Sequence, residues 1–135
     1  MWAPAEVRRI TARLADATDT GVALEVEAES RLREAVSEAA WAHAVVRLLR
    51  AGTGVARVAA AMELSERQLH RRCLHAFGYG PKTVARVLRL QRALDLARSG
   101  VPYAETAARS GYADQAHLAR DVKDLAGIPL GELTR

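Results

Sequence analysis

The sequence is poor in several residue types, and each shortage excludes something. Its 135 residues include one cysteine, Cys73, which rules out a disulfide framework and any cysteine-built zinc site and fits a reducing cytoplasm. No apolar run approaches the roughly 20 residues that a membrane span needs. The first 30 residues carry six acids and no apolar core of a signal peptide, so a soluble, cytoplasmic chain is expected. Two tryptophans, three tyrosines and one phenylalanine are too few for the stacking platforms of a single-strand nucleic-acid binder. There is no glycine-rich phosphate loop, and His43, His70, His75 and His117 have no metal-ligand spacing. Cys73 falls on an inward helical stripe without a His/Asp partner, so it reads as a small hydrophobe rather than a nucleophile. No enzyme activity, cofactor or metal is expected.

What the chain has in abundance is alanine (28 residues) and arginine (18 of its 20 basic groups), with a net charge of +4. GC-rich coding accounts for arginine over lysine without saying anything about partners. The placement of the charges is more informative. Residues 1–50 hold seven arginines against eight acids, whereas residues 51–135 hold thirteen basic groups against eight acids, a net +5. Residues 66–98 alone carry eight basic groups against Glu66 and Asp95. That local excess is the electrostatic footprint of a polyanion binder.

Scarce proline, glycine in punctuating positions and little β-branched alternation predict an all-α fold. A first helix is expected over Pro4–Ala17, with Val7, Ile10 and Leu14 on one face. A second is expected over about 22–36, carrying Leu24, Ala28, Leu32 and Val36 at intervals of four. Ser37 then caps a third over 38–51, whose Trp41, Val45, Leu48 and Leu49 form a core stripe.

The next stretch reads as a helix-turn-helix. A short helix, Val55–Met62, leads through Glu63 and Leu64 to Ser65, which forms a capping box with Gln68. The following helix, from 66 to about 77, turns Leu69, Cys73 and Phe77 inward and stops at Gly78. The pattern then recurs. Tyr103–Arg109 leads through Ser110–Ala113 to Asp114 as cap, with Leu118, Val122 and Leu125 inward and Gly127 as stop. A shift of 49 lays Ser65 on Asp114, Leu69 on Leu118, Arg71 on Arg120, Cys73 on Val122 and Gly78 on Gly127. The leading helices superpose at a shift of 48, so the second turn is one residue longer. Two copies make a pseudo-symmetric pair rather than a solenoid. Between them, residues 82–98 predict a linker helix of roughly 25 Å. That length holds two recognition helices near one duplex turn, roughly 34 Å, apart.

With these motifs in place, residues 38–135 resemble the DNA-binding domain of AraC/XylS-type bacterial transcription regulators. The resemblance rests on the paired motifs, on LSERQLHRR followed by FGYGPKT, and on RSGYADQAHLARDVKDLAGIPLGEL. It implies a first helix-turn-helix at about 53–78, the linker helix at 82–98 and a second at about 102–127. Residues 1–37 look like the helical connector that follows a sensor domain in such regulators. No sensor domain accompanies them, so a fragment or a short regulator is expected. The family usually has glycine where Glu63 sits, in a turn that needs unusual backbone angles. Inward aromatics of the family are replaced by Cys73 and Val122, and Leu118 is a smaller version of another.

The helical register fixes which side chains face outward. On the first recognition helix these are Glu66, Arg67, His70, Arg71 and Leu74, with Arg72 to the side. Arg67 and Arg71 suit bidentate contacts to guanine, His70 a base or a phosphate, and Arg72 a phosphate or an ion pair. On the second, Gln115, Ala116, Ala119, Arg120 and Lys123 face out. Gln115 suits adenine, and Ala116 and Ala119 offer methyl contacts. Asp121 and Asp124 leave this helix less basic, so the first motif is expected to supply more affinity. Phosphate contacts are expected from Thr53, Lys82, Thr83, Arg86 and Arg109. Arg89 and Arg92 are expected to be solvated, Tyr79 and Tyr112 to pack in cores or caps, Asp114 to cap, and His117 to be structural. The expected partner is double-stranded DNA, read in two successive major grooves. RNA polymerase and a second copy bound through the N-terminal helices are further candidate partners. The alternative function is a helical protein-interaction module that keeps the fold without reading DNA.

Overall fold

The computed structural model of the protein describes residues 4–15 and 20–134. Among the described residues there are eight helices and no strands: α1 (Pro4–Ala15), α2 (Thr20–Arg50), α3 (Val55–Ala61), α4 (Glu66–Phe77), α5 (Pro81–Arg98), α6 (Tyr103–Arg109), α7 (Gln115–Ala126) and α8 (Leu130–Leu133). The all-α expectation holds. The chain divides into two compact units, Met1–Trp41 and Ala42–Arg135.

In the first unit, α1 opens on Pro4, where a missing N–H is harmless. The expected end of this helix at Ala17, and the side chains of Ile10 and Leu14, lie outside the described residues; Val7 is exposed. The expected break at Ser37 is absent. Residues 20–50 form one continuous helix, and Ser37 is an exposed residue within it. A serine is a helix start only where the preceding residues leave the helix. Here Arg31–Glu27 (2.9 Å) and Arg33–Glu29 (3.8 Å) pairs, spaced i to i+4, support the turns before it. The four-residue apolar series does not mark a buried face: Leu24, Leu32 and Val36 are exposed, as are Val22 and Val26. By contrast Trp41, Val45 and Leu49 are buried.

The second unit contains the repeat. α3 and α6 are both seven residues long, and Ala59 and Ala107 are both buried. α4 and α7 are both twelve residues long. Leu69 and Leu118, like Cys73 and Val122, are fully buried, and Gly78 and Gly127 end the two helices at the same φ of 74°. The turns match as well. Leu64 N–H donates to Ala59 O and Tyr112 N–H to Ala107 O, each at 2.9 Å. The residue preceding each donor is left-handed: Glu63 at φ 56° and Gly111 at φ 78°. The family's glycine position is therefore occupied by a glutamate that adopts the glycine conformation.

α5, starting on Pro81, contacts α4 on one side and α6 and α7 on the other. Its 18 residues span about 27 Å. Val84, Leu88, Leu90 and Ala93 are buried on two opposite sides of it, and Leu90 and Ala93 join Ala107, Tyr112, Leu118, Val122 and Leu130 in the core of the second motif. The short helix α8, too brief to leave a periodic signal, supplies Leu130 to that core. The Tyr103 and Thr134 hydroxyls share a 2.8 Å hydrogen bond beside it.

Candidate nucleic-acid interface

The two recognition helices start from side-chain caps. Ser65 Oγ accepts from Gln68 N–H at 3.2 Å, and Gln68 Oε1 accepts from Ser65 N–H at 2.8 Å, completing the expected capping box. Asp114 Oδ1 accepts from His117 N–H at 2.7 Å, as a cap should. These bonds fix where each helix begins and so which side chains lie on its outer face.

On α4, Arg67, His70, Arg71 and Leu74 are exposed, opposite the buried Leu69 and Cys73. Burial pushes the Cys73 thiol up, as an inert core cysteine requires. Arg72 is half-buried. The ring of His70 lies over Gly80: a Cβ built there would fall 2.6 Å from its Cε1 and 2.8 Å from its Nδ1. On α7, Gln115, Ala116, Ala119, Arg120 and Lys123 are exposed. Lys82 is exposed, and Thr53 and Thr83 are half-buried. Arg109 is exposed and pairs with Glu105 at 3.3 Å.

The helices differ in what lies behind them. α7 carries a buried acid, Asp121, which is 5% exposed. Arg86 Nε donates to Asp121 Oδ1, and Arg86 Nη2 reaches Asp124 Oδ2 at 3.2 Å. Tyr112 O–H donates to Asp121 Oδ2 at 2.8 Å, and Arg89 Nη2 lies 3.7 Å from the same oxygen. The Arg89 guanidinium stacks over the Tyr112 ring, 4.5 Å from its centre. His117 meets that ring edge-on at 5.2 Å, and its Nδ1 accepts from Ala113 N–H at 3.4 Å. Burial alone would raise the Asp121 carboxyl. The hydrogen bonds from Arg86 and Tyr112 and the charges of Arg86 and Arg89 outweigh it and hold the carboxyl below its ordinary range. Burial, then the bond to Asp121, pushes the Tyr112 phenol up to about 12.

This cluster revises several expectations. Arg86, expected on phosphate, is engaged by Asp121 and Asp124. Arg89, expected to be solvated, is half-buried between an acid and an aromatic ring. Tyr112 is a core residue as expected, but Tyr79 is 60% exposed and belongs to no core. His117 is structural. One signal for Asp121 was in the sequence: it sits between Leu118 and Val122 on the inward arc of α7, where an acid needs a partner. Its two arginine partners lie 35 and 32 residues away, beyond any local pattern, whereas Tyr112 lies nine residues before it.

Alongside α5 runs a groove of about 690 Å³, bounded by the end of α2, the start of α3 and the turn after α6. Among the described residues, no group of acids, histidines and cysteines is arranged to hold a metal ion. Among the described residues, no helix is long and apolar enough to cross a membrane.

Comparison with known proteins agrees with this architecture. Residues 58–135, more than half of the chain, match the family model described as a helix-turn-helix domain, of the AraC type. Comparison with curated proteins returns no match. A crystal structure described as that of a probable AraC family transcriptional regulator from Rhodopseudomonas palustris CGA009 is similar in fold. Its TM-score is 0.58 at 24% identity, over 68% of this chain and 92% of that one. With its two capped recognition helices and the family match over the repeat, the chain belongs to the AraC-type helix-turn-helix family of DNA-binding transcription regulators.

Proposed function

We propose that the protein binds duplex DNA sequence-specifically, placing α4 and α7 in two successive major grooves. The observation that carries this reading is the repeat itself. Two helices, alike in cap, core and stop, expose Arg67, His70 and Arg71 in one case and Gln115, Ala116, Arg120 and Lys123 in the other. Arg67 and Arg71 read guanine, Gln115 reads adenine, Ala116 offers a methyl contact, and Arg72, Arg120 and Lys123 support readout or meet the backbone. Thr53, Lys82 and Thr83 contact phosphates. Arg86, given its acid partners, acts by holding α7. In this reading residues 38–135 are the DNA-binding domain and residues 1–37 a connector.

Selection from random duplexes at about 100 mM salt tests this, since a protein with several phosphate contacts still binds there. Enrichment of a site with two half-sites about 10 base pairs apart is expected. No enrichment would remove sequence-specific reading, and a single enriched half-site would remove two-groove reading. Arg71→Ala is expected to lose about 10- to 100-fold discrimination at one base pair of the α4 half-site. Equal weakening on all sequences would instead make Arg71 a phosphate contact.

The exposed Val22, Val26, Leu32 and Val36 of α2 support a homodimer through the N-terminal helices. Sedimentation over a concentration series tests it, with a strict monomer as the refuting result. RNA polymerase is the further partner that a regulator bound at a promoter would meet.

A further inference from the structure

The groove along α5 has an unusual lining. Six cations line it, Arg50, Lys82, Arg86, Arg89, Arg92 and Arg109, and no lining residue is an acid, although Arg86, Arg89 and Arg109 are engaged by acids outside the groove. Leu49, Val55, Leu88 and Ala108 give it apolar wall. Two polar atoms of its lining residues are buried without a hydrogen-bond partner: the Oγ of Ser110, a residue 5% exposed, and the Nε of Arg89. A buried polar atom without a hydrogen bond is costly, so such atoms point to a missing partner. The volume, about 690 Å³, lies within the range of small-molecule sites.

From this lining we infer that the groove is a binding site for a small organic anion, a phosphate or carboxylate carrying a compact apolar body. Arg50, Lys82 and Arg92 take the anionic head beside Ser110, and the apolar wall takes the body. Thr53 and Lys82, which the DNA-binding reading places on phosphates, also line this groove, so a duplex competes with the small anion for them. The groove is also wired to the second motif, because Arg86 and Arg89 face both the groove and Asp121. An anion there competes with the exposed Asp124 for Arg86 and loosens one tie on α7. This coupling rests on the reading of α7 as a DNA-contacting helix; the site itself does not.

The test is amide NMR on the full chain without DNA, titrated with phenyl phosphate, inorganic phosphate and phenol. Phenyl phosphate is expected to give saturable shifts at Gly52, Gly54, Ser110 and Gly111. Inorganic phosphate should bind more weakly, and phenol should not saturate. Ser110→Ala, which removes a buried hydroxyl without a hydrogen bond, should not lower the melting temperature and should weaken phenyl phosphate about tenfold. Arg92→Gln should do likewise. Shifts that stay linear, or that spread equally over Arg67, Arg71 and Arg120, would reduce the effect to charge screening and overturn the site. A third outcome also overturns it: no saturation, together with an Arg92→Gln variant whose duplex affinity falls less steeply with salt. The groove would then hold a DNA phosphate, and DNA reading would stand. Saturable anion binding by a chain that selects no duplex would sink the DNA reading and leave the site intact.

Discussion

The two helix-turn-helix motifs share a backbone plan and differ in how their recognition helices are held. α4 is fixed by apolar burial and its capping box, and among its outward residues only Glu66 is acidic. α7 has the same buried positions and adds a polar bracket, Asp121, that ties it to Arg86 and Arg89 of α5. Part of the second helix's negative charge is therefore structural rather than presented to a partner. A count of charges along the sequence makes α7 look poorly suited to DNA. With Asp121 taken inward and neutralised, its outer face is Gln115, Ala116, Ala119, Arg120 and Lys123, with only the exposed Asp124 as a counterweight. Position relative to the core decides what a charge is for.

The likeness of the two cores predicts the largest effect. Leu69→Ala and Leu118→Ala remove side chains that are both fully buried, and each should cost about 3–4 kcal/mol in urea unfolding. A gap of more than about 1 kcal/mol between them would mean that the smaller Cys73 and Val122 let the two sites collapse differently.

The bracket predicts the next. Asp121→Ala should cost about 2 kcal/mol. That is less than a fully buried pair would lose, because Arg86 and Arg89 remain partly solvated. No equivalent cost is expected in α4, where Arg72 holds the position that Asp121 holds in α7. The folded carboxyl lies below its unfolded value, so its contribution is complete above about pH 4, the ordinary carboxylate range, and is lost as pH falls through the depressed folded value. Unfolding free energies measured from pH 7 down to pH 2 should fall more steeply for the wild type than for Asp121→Asn. Parallel curves would show that the carboxyl is not held low.

The turns give the smallest effect. Glu63 and Gly111 occupy equivalent left-handed positions, so Glu63→Gly should stabilise the protein by about 1 kcal/mol, read as a rise in melting temperature. A loss of stability would mean that the greater freedom of glycine in the unfolded chain outweighs the relief of strain.

Much of this was legible in the sequence because it is local. The caps Ser65 and Asp114, the stops Gly78 and Gly127, the inward series from Leu69 to Val122 and the strained Glu63 all depend on neighbours within a few residues. Ser37 misled because a cap residue is informative only beside a helix end, and α2 has none there. Tyr79 and Tyr112 follow glycines in similar local settings yet end respectively exposed and buried, a difference made by the tertiary fold. The arginine partners of Asp121 lie on a different helix, and no spacing rule connects residues 86 and 121. The expected DNA-facing residues are exposed or half-buried, but their exposure follows from the same periodicity that placed the core, and contact with DNA is a separate property.

Gly80 lies in the loop after the first recognition helix and makes room for the ring of His70. Any side chain at position 80 would push that imidazole from its present place. The outward set of α4 can thus be altered by a substitution outside the helix, with Arg67 and Arg71 untouched. For a lineage of regulators diverging in what they recognise, such a loop position is a low-risk route to change. It shifts one member of the outward set while the core and the cap are inherited intact.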